Sequence, residues 1–311
     1  MINLCKYNSN DFEKWNFFVS EARNSLFMHD RKFMEYHSDR FIDNSLMFYE
    51  DEELIALLPA NRKEKELISH GGLTYGGFII NQKMKQYKML ECFDALKTYM
   101  KENDFESFIY KTIPYCYYKN PAQEDLYALF KNNAEILKIE PSSVLDFRYP
   151  IKMPKGRKSQ IGRAKREGVK IELSTDYDTF INLENSVLTK HHNTKAVHSG
   201  SELSFLHEKF PEQIELYSAM YNDQMIAGSV VFIYENVVHT QYMAANDTAR
   251  EIGALDYCIS EIITKFSNQK RYLDFGISTE DGGKILNEGL ISQKEGFGAR
   301  TIAYQTWKIR G

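Results

Sequence analysis

"IELYSAMYNDQMIAGSVVF", residues 214–232, is an apolar run, a polar turn at Asn222-Asp223 and a second apolar run. Short apolar runs joined by an Asn/Asp turn predict a β-hairpin. The plan also occurs earlier in the chain. "SLMFYEDEELIALLPA", residues 45–60, has the same layout around Glu50-Asp51-Glu52, which puts Tyr49 and Tyr221 in equivalent places.

The segments downstream of the two hairpins are parallel too. After the first come "KELISHGG", "YGGFII", the amphipathic "QYKMLECFDALKTYMKEN" (86–103) and the strand-like "FESFIYKTI". After the second come "NVVHTQYMAAN", "GALDYCISEIITKFS" (253–267) and "RYLDFG". In the later helical stretch Leu255, Cys258, Ile259, Ile262 and Ile263 recur at helical spacing, the mark of one buried face. Two copies of hairpin, strand, helix and strand predict two related α/β domains, 1–148 and 149–311. The boundary is expected in the Pro- and Ser-rich "EPSSVLDFRYPIKMPKG" (140–156). The chain then closes with a glycine-bounded helix in "DGGKILNEGLISQKEGFGA" and a last strand, "RTIAYQTWKI".

Composition excludes several classes. With 311 residues, 43% hydrophobic and 26% charged, the chain has enough apolar surface for a sizeable globular core. A net charge of −4 does not advertise nucleic-acid binding, and no DNA partner is expected. The longest apolar stretch, "MIAGSVVFIY" (225–234), is about half a membrane span. Cys5, Cys92, Cys116 and Cys258 lack any C-x-x-C spacing and read as reduced, mostly buried thiols. The opening residues lack the layout of a signal peptide, so a soluble, cytoplasmic protein is expected. His191, His192 and His198 have no Cys or carboxylate at metal spacing, and no metal is expected. The triplet Asp274-Phe275-Gly276 holds magnesium in protein kinases, but here the Gly-rich loop is missing. The only H-R-D-like run is the scrambled His29-Asp30-Arg31. A kinase is excluded.

Three stretches carry a resemblance: "ISHGGLTYGGFII" (68–80), "RKSQIGRAKREGVKIEL" (157–173), and "LDFGIS" followed by "LNEGLISQKEGFGA". In this order, and with the doubled hairpin, the chain resembles tandem-domain members of the GNAT N-acetyltransferase superfamily. Fem-type peptidyltransferases and the acetyltransferase-like proteins of polysaccharide gene clusters are the groups it is most similar to. The resemblance implies an α/β fold of two tandem GNAT-like domains, each a mixed, mostly antiparallel sheet flanked by helices. The first would be the acceptor side and the second the donor side. It implies acetyl-CoA as acyl donor, held by Met243, Ala244 and Ala245 on a strand and by Arg250, Gly253 and Ala254 at a helix start. Backbone N–H groups at such a helix start face the pyrophosphate. There is one departure: Leu255 stands where the family's Q/R-x-x-G-x-G/A loop ends in a small residue.

The side chains suggest chemistry of their own. Lys155, Arg157, Lys158, Arg163, Lys165, Arg166 and Lys170 form a basic run. It fits a diphosphate, a carbohydrate phosphate or tRNA, and equally a solvated amphipathic helix. Arg163 and Arg166 are its candidate substrate contacts. Ser69, His70 and Tyr75 stand among four glycines that would let a substrate approach the backbone; a wide turn between strands is the other reading. Acyl transfer to an amine needs a base, for which His239 and Asp274 are the candidates. Phe275 is expected in the core with Asp274 on the opposite face. Asn287 either lines the cleft or caps the last helix, and Lys294 either meets an anionic substrate group or stands in solvent. The expected function is N-acetyl transfer to an amino group of a sugar or cell-envelope precursor. Aminoacyl transfer from aminoacyl-tRNA and a non-catalytic binding role stay open beside it.

Overall fold

The computed structural model describes residues 2–192 and 194–311, with the side chains of His191 and His192 left aside. The metal reading of His191 and His192 therefore lies outside the described residues. The chain divides into two compact units. One runs to Glu140 and includes Asp281–Lys284 and Ala303–Gly311; the other comprises Pro141–Glu280 and Ile285–Ile302.

The first unit contains β1 (Ile2–Lys6), α1 (Phe12–Glu21), α2 (Arg31–Met34), β2 (Ile42–Asp43), β3 (Leu46–Glu50), β4 (Glu53–Leu58), β5 (Asn61–Lys63), β6 (Glu66–Ile68) and β7 (Ile79–Ile80). After these come α3 (Gln86–Glu102), β8 (Ser107–Lys111) and α4 (Glu124–Lys131). One sheet has the order β1-β3-β4-β7. In the other, β8 pairs parallel with β6, which joins β5 and β2. α3 buries Met89, Cys92, Phe93, Leu96 and Met100, an i, i+3, i+4 stripe, against a core holding Trp15, Phe48 and Phe78.

β9 (Glu135–Asp146) enters the second unit at Pro141. Next come α5 (Lys155–Arg166), β10 (Lys170–Ser174), α6 (Tyr177–His192), α7 (Gly200–Lys209), β11 (Ile214–Tyr221), β12 (Gln224–Ile233) and β13 (Val237–Ala245). α8 (Asp247–Ile252), α9 (Ala254–Phe266), β14 (Tyr272–Ile277), β15 (Thr279–Glu280), β16 (Ile285–Leu286), α10 (Glu288–Glu295) and β17 (Arg300–Arg310) complete the chain. From Ala303 on, β17 belongs to the first unit, where it pairs with β8. The second unit's sheet has the order β10-β11-β12-β13-β14-β9, antiparallel except for β13 beside β14. α9 packs its apolar stripe of Cys258, Ile259 and Ile262 on one face, with Val238, Leu273 and Phe275. α6 covers the other face, where Phe180 lies on Gly228.

Both hairpins form. In the second, Asn222 and Asp223 have φ of 49° and 58°, the doubly left-handed turn that matches strand twist. The register corrects one detail. Tyr221 faces Gln224 across its turn and Glu50 faces Glu53, so the counterpart of Tyr221 is Glu50, not Tyr49. Each hairpin carries one extra residue just past the turn, Ile55 and Ile226, which keeps the pattern in step. Cys5 is exposed and the other three cysteines are buried. Among the described residues no helix is long and apolar enough to cross a membrane.

Candidate functional site

The second unit's sheet opens at one place. β13 and β14 pair over only three positions, Val237 with Tyr272, Val238 with Leu273 and His239 with Asp274. Two backbone features then part the strands. Opposite Val231 and Val230, β13 places Thr240 and Tyr242, so Gln241 is an extra, bulged residue. On β14, Gly276 adopts φ of 75°, a left-handed conformation that L side chains disfavour. A bulge bends one strand and a left-handed glycine turns the other. The result is a wedge with His239 and Asp274 at its vertex.

Asp274 is fully buried. Its Oδ1 accepts hydrogen bonds from Ser142 Oγ at 2.6 Å and from the Gly276 amide at 2.8 Å. Its Oδ2 lies 3.5 Å from His239 Nδ1, which has no hydrogen-bond partner. The carboxylate is thus held on Oδ1 by two donors and turns Oδ2 toward the imidazole. Phe275 points the other way and stacks on Phe297, with ring centroids 5.5 Å apart.

Lys294 departs from both of its readings. It stands neither in solvent nor open to a substrate: it is 3% exposed, and its Nζ donates to Gly276 O at 3.0 Å and Ile277 O at 2.6 Å. The left-handed turn strips these carbonyls of sheet partners, and the ammonium replaces them. Burial lowers the Lys294 pKa to about 8, with the nearby Asp274 charge acting against that shift. Asn287 caps α10, accepting from the Leu290 amide at 2.9 Å, and donates to Glu280 at 2.7 Å.

The helix start expected to cradle pyrophosphate is occupied by the protein. Gly253, with φ of 79°, ends α8, and its amide donates to Ala249 O at 2.9 Å. A Cβ on Gly253 would lie 2.6 Å from the carbonyl oxygen of Gln160, so α5 is seated against it. Ala254 is fully buried. Asp256, in the first turn of α9, binds Arg157, whose guanidinium also donates to Gln293 O at 2.9 Å and lies over the Phe297 ring. Of the basic run, Arg163 donates to Glu251 O at 2.9 Å, while Arg166 is exposed. Arg250 is exposed as well, and Met243, Ala244 and Ala245 pair with Ser229, Gly228 and Ala227 of β12. Of the two amides expected to meet a pyrophosphate, that of Gly253 is committed to Ala249 O, and Gln160 of α5 lies against the Gly253 Cα.

The glycine-rich loop of the first unit is likewise packed against itself. A Cβ on Gly72 would meet His37 Nε2 at 2.2 Å, and one on Gly76 would meet Ser69 O at 2.1 Å. These glycines therefore admit neighbouring protein atoms that a side chain would displace. Ser69 Oγ accepts the Lys111 amide at 2.7 Å. His70 is buried and left-handed (φ 50°), with no hydrogen bond at Nδ1; burial, then the neighbouring His37 and Lys111, push its pKa down to about 2. Tyr75 shares hydroxyl hydrogen bonds with Tyr117 and Tyr304. Lys111 donates to His70 O at 2.7 Å and to Leu73 O, and burial lowers its pKa to about 8.

Sequence reasoning missed Ser142, Lys111 and Glu184. Only Glu184 left a signal: Tyr177, Phe180, Ile181 and Glu184 fall at i, i+3, i+4 and i+7, so an acid occupies an apolar stripe.

Residues 156–281 match the family model described as acetyltransferase (GNAT) domain. No curated protein matches the sequence. Among solved structures the chain is similar to FemX, with a TM-score of 0.67, 11% identity, and coverage of 99% of this chain and 97% of that one. It is similar to the C-terminal domain of a putative lysylphosphatidylglycerol synthetase from Agrobacterium fabrum, with a TM-score of 0.63, 10% identity and coverage of 98% and 93%. A third is a tandem GNAT protein from the clavulanic acid biosynthesis pathway, at 0.56, 9% identity and coverage of 100% and 98%. At these identities the likeness is one of fold.

Proposed function

We propose that the chain is a tandem-domain protein of the GNAT acyltransferase superfamily that transfers an acyl group to the amine of a sugar or cell-envelope precursor at the β13–β14 wedge. The observation that carries this reading is the vertex. Two strands part where a histidine and a buried carboxylate face each other 3.5 Å apart. Asp274 favours the tautomer with hydrogen on Nδ1, which leaves Nε2 of His239 as a proton acceptor. The amine nitrogen then attacks the acyl carbon while His239 draws off its proton.

Two donors were open from the sequence, acetyl-CoA and aminoacyl-tRNA. The seat of Gln160 on Gly253 favours the second, because an aminoacyl ester needs no pyrophosphate cradle there. Exposed Lys155, Lys158 and Arg166 on α5 suit contacts with nucleic-acid phosphates. Calorimetry with acetyl-CoA beside a gel shift with aminoacyl-tRNA tests the choice. Salt-sensitive retention of the tRNA with no saturable heat from acetyl-CoA is expected. Micromolar acetyl-CoA binding and no tRNA shift would restore the thioester.

A further inference from the structure

The second unit buries three carboxylates, and two have obvious partners. Asp256 has Arg157, and Asp274 has Ser142 and the Gly276 amide. Glu184 on α6 is 7% exposed, and no hydrogen bond or ion pair to a described residue holds it. It lies on the helix face turned to the sheet, close enough for its charge to act on the Tyr242 hydroxyl. Tyr242 and His239 pair with Val230 and Phe232 of β12, two residues apart, so they share the α6 face of the sheet. The Tyr242 hydroxyl accepts the His198 backbone N–H at 3.3 Å, which directs its own proton to His198 Nδ1 at 2.7 Å. A carboxylate, a tyrosine and a histidine thus gather on the sheet face that carries His239, and the carboxylate has no cation among the described residues.

A buried carboxylate without a cation is unfavourable unless it is neutral or awaits one. An amine acceptor arrives as an ammonium and must shed a proton before attack. We propose that Glu184 is the docking group for the acceptor's ammonium and takes its first proton, beside the Tyr242 hydroxyl. This rests on the acyl-transfer reading and supplies its acceptor half. One N–H proton passes to the Glu184 carboxylate, and the freed lone pair forms the C–N bond. The bond from the acyl carbon to the leaving oxygen or sulfur breaks with its electron pair onto that atom. The leaving atom takes the second nitrogen proton by way of His239, and Glu184 returns the first to solvent. Burial lifts Glu184 to about 7, which makes it a competent base near neutrality. The titratable group beside it is Tyr242 on β13, whose hydroxyl in turn meets His198 before α7; on β12, Gly228 meets α6 through Phe180 and adds no charge.

The test needs no acyl donor. In the full chain labelled with glutamate 13C at the side-chain carboxyl, the Glu184 resonance is assigned by its loss in Glu184→Gln, or in Glu184→Asp should the first not fold. It is then titrated with pH alone, with ethylammonium chloride and with ethanol. Ethylammonium should strengthen the acidity of Glu184 about tenfold or more, as an adjacent cation does, and ethanol should leave it unchanged. A titration unmoved by ethylammonium, or moved equally by ethanol, overturns the proposal. An ammonium response without transfer from any donor would sink the acyl-transfer reading and leave this site standing. Equal transfer by wild type and Glu184→Gln would do the reverse.

Discussion

Replacing Lys294 by alanine removes a buried ammonium from two backbone carbonyls, Gly276 O and Ile277 O, at 3.0 and 2.6 Å. A hydrogen bond to a charged donor is worth about 1.5–3 kcal/mol, and each carbonyl left dry costs a further share. Against this stands the desolvation of the ammonium itself, which lowers its pKa to about 8 and is relieved on removal. The balance is a net loss of about 3 kcal/mol, within the range seen when one partner of a buried polar group is deleted. For a domain of about 150–250 residues that corresponds to a fall of about 6–12 °C in Tm. Differential scanning calorimetry of wild type, Lys294→Ala and the volume-matched Lys294→Met reads it. Both variants should melt early, because both leave the turn after Asp274 without its donor. If Lys294→Ala melts within about 1 °C of wild type, the ammonium does not hold this turn, and its role at the wedge must be argued afresh.

Gly253→Ala should destabilise by about 2–3 kcal/mol, because its φ of 79° disfavours a side chain and the new Cβ would press on Gln160 O. Denaturant unfolding measures this, and an unchanged midpoint would show that α5 is not seated there. Lys111 makes stability depend on pH. Its pKa is lowered to about 8 in the fold, so above that value the unfolded chain binds more protons than the native one. Wild type should therefore gain stability relative to Lys111→Met as pH rises from about 8 to about 10.5. A flat or falling difference in urea midpoints across that window would contradict the burial of its ammonium.

The parts of the fold written in local pattern were legible. Asn222-Asp223 between apolar runs announces a two-residue turn, the spacing from Cys258 to Ile262 announces α9, and Asn287 before Glu288 announces a cap. The features that depend on partners distant in sequence were not legible. The glycines at 71, 72 and 76 read the same whether a ligand or His37, Phe41 and Ser69 fills the space above them. Gly253 matched a phosphate loop because its local sequence does; Gln160 on it is a contact nearly a hundred residues away in the chain. Lys111 and Lys294 sit in segments where a lysine ordinarily faces water, and nothing beside them signals stranded carbonyls. The bulge at Gln241 is invisible in composition, yet it opens the wedge. Glu184 was readable in principle, since an acid on an apolar stripe breaks the helical pattern.

Acyl transfer at the wedge, with Asp274 orienting His239, is tested by Asp274→Asn, because the amide oxygen still accepts from Ser142 and Gly276 while the charge is gone. Wild type and variant, matched in melting temperature, are incubated with radiolabelled aminoacyl-tRNA and a pool of amino sugars and envelope precursors. Label surviving mild alkali, which hydrolyses the ester and spares an amide, is then counted. Alkali-stable label with wild type and a fall of about 100-fold or more with Asp274→Asn are predicted, in the range of general-base losses. Equal alkali-stable label from both proteins, or none from wild type with either aminoacyl-tRNA or radiolabelled acetyl-CoA as donor, would refute transfer at this vertex.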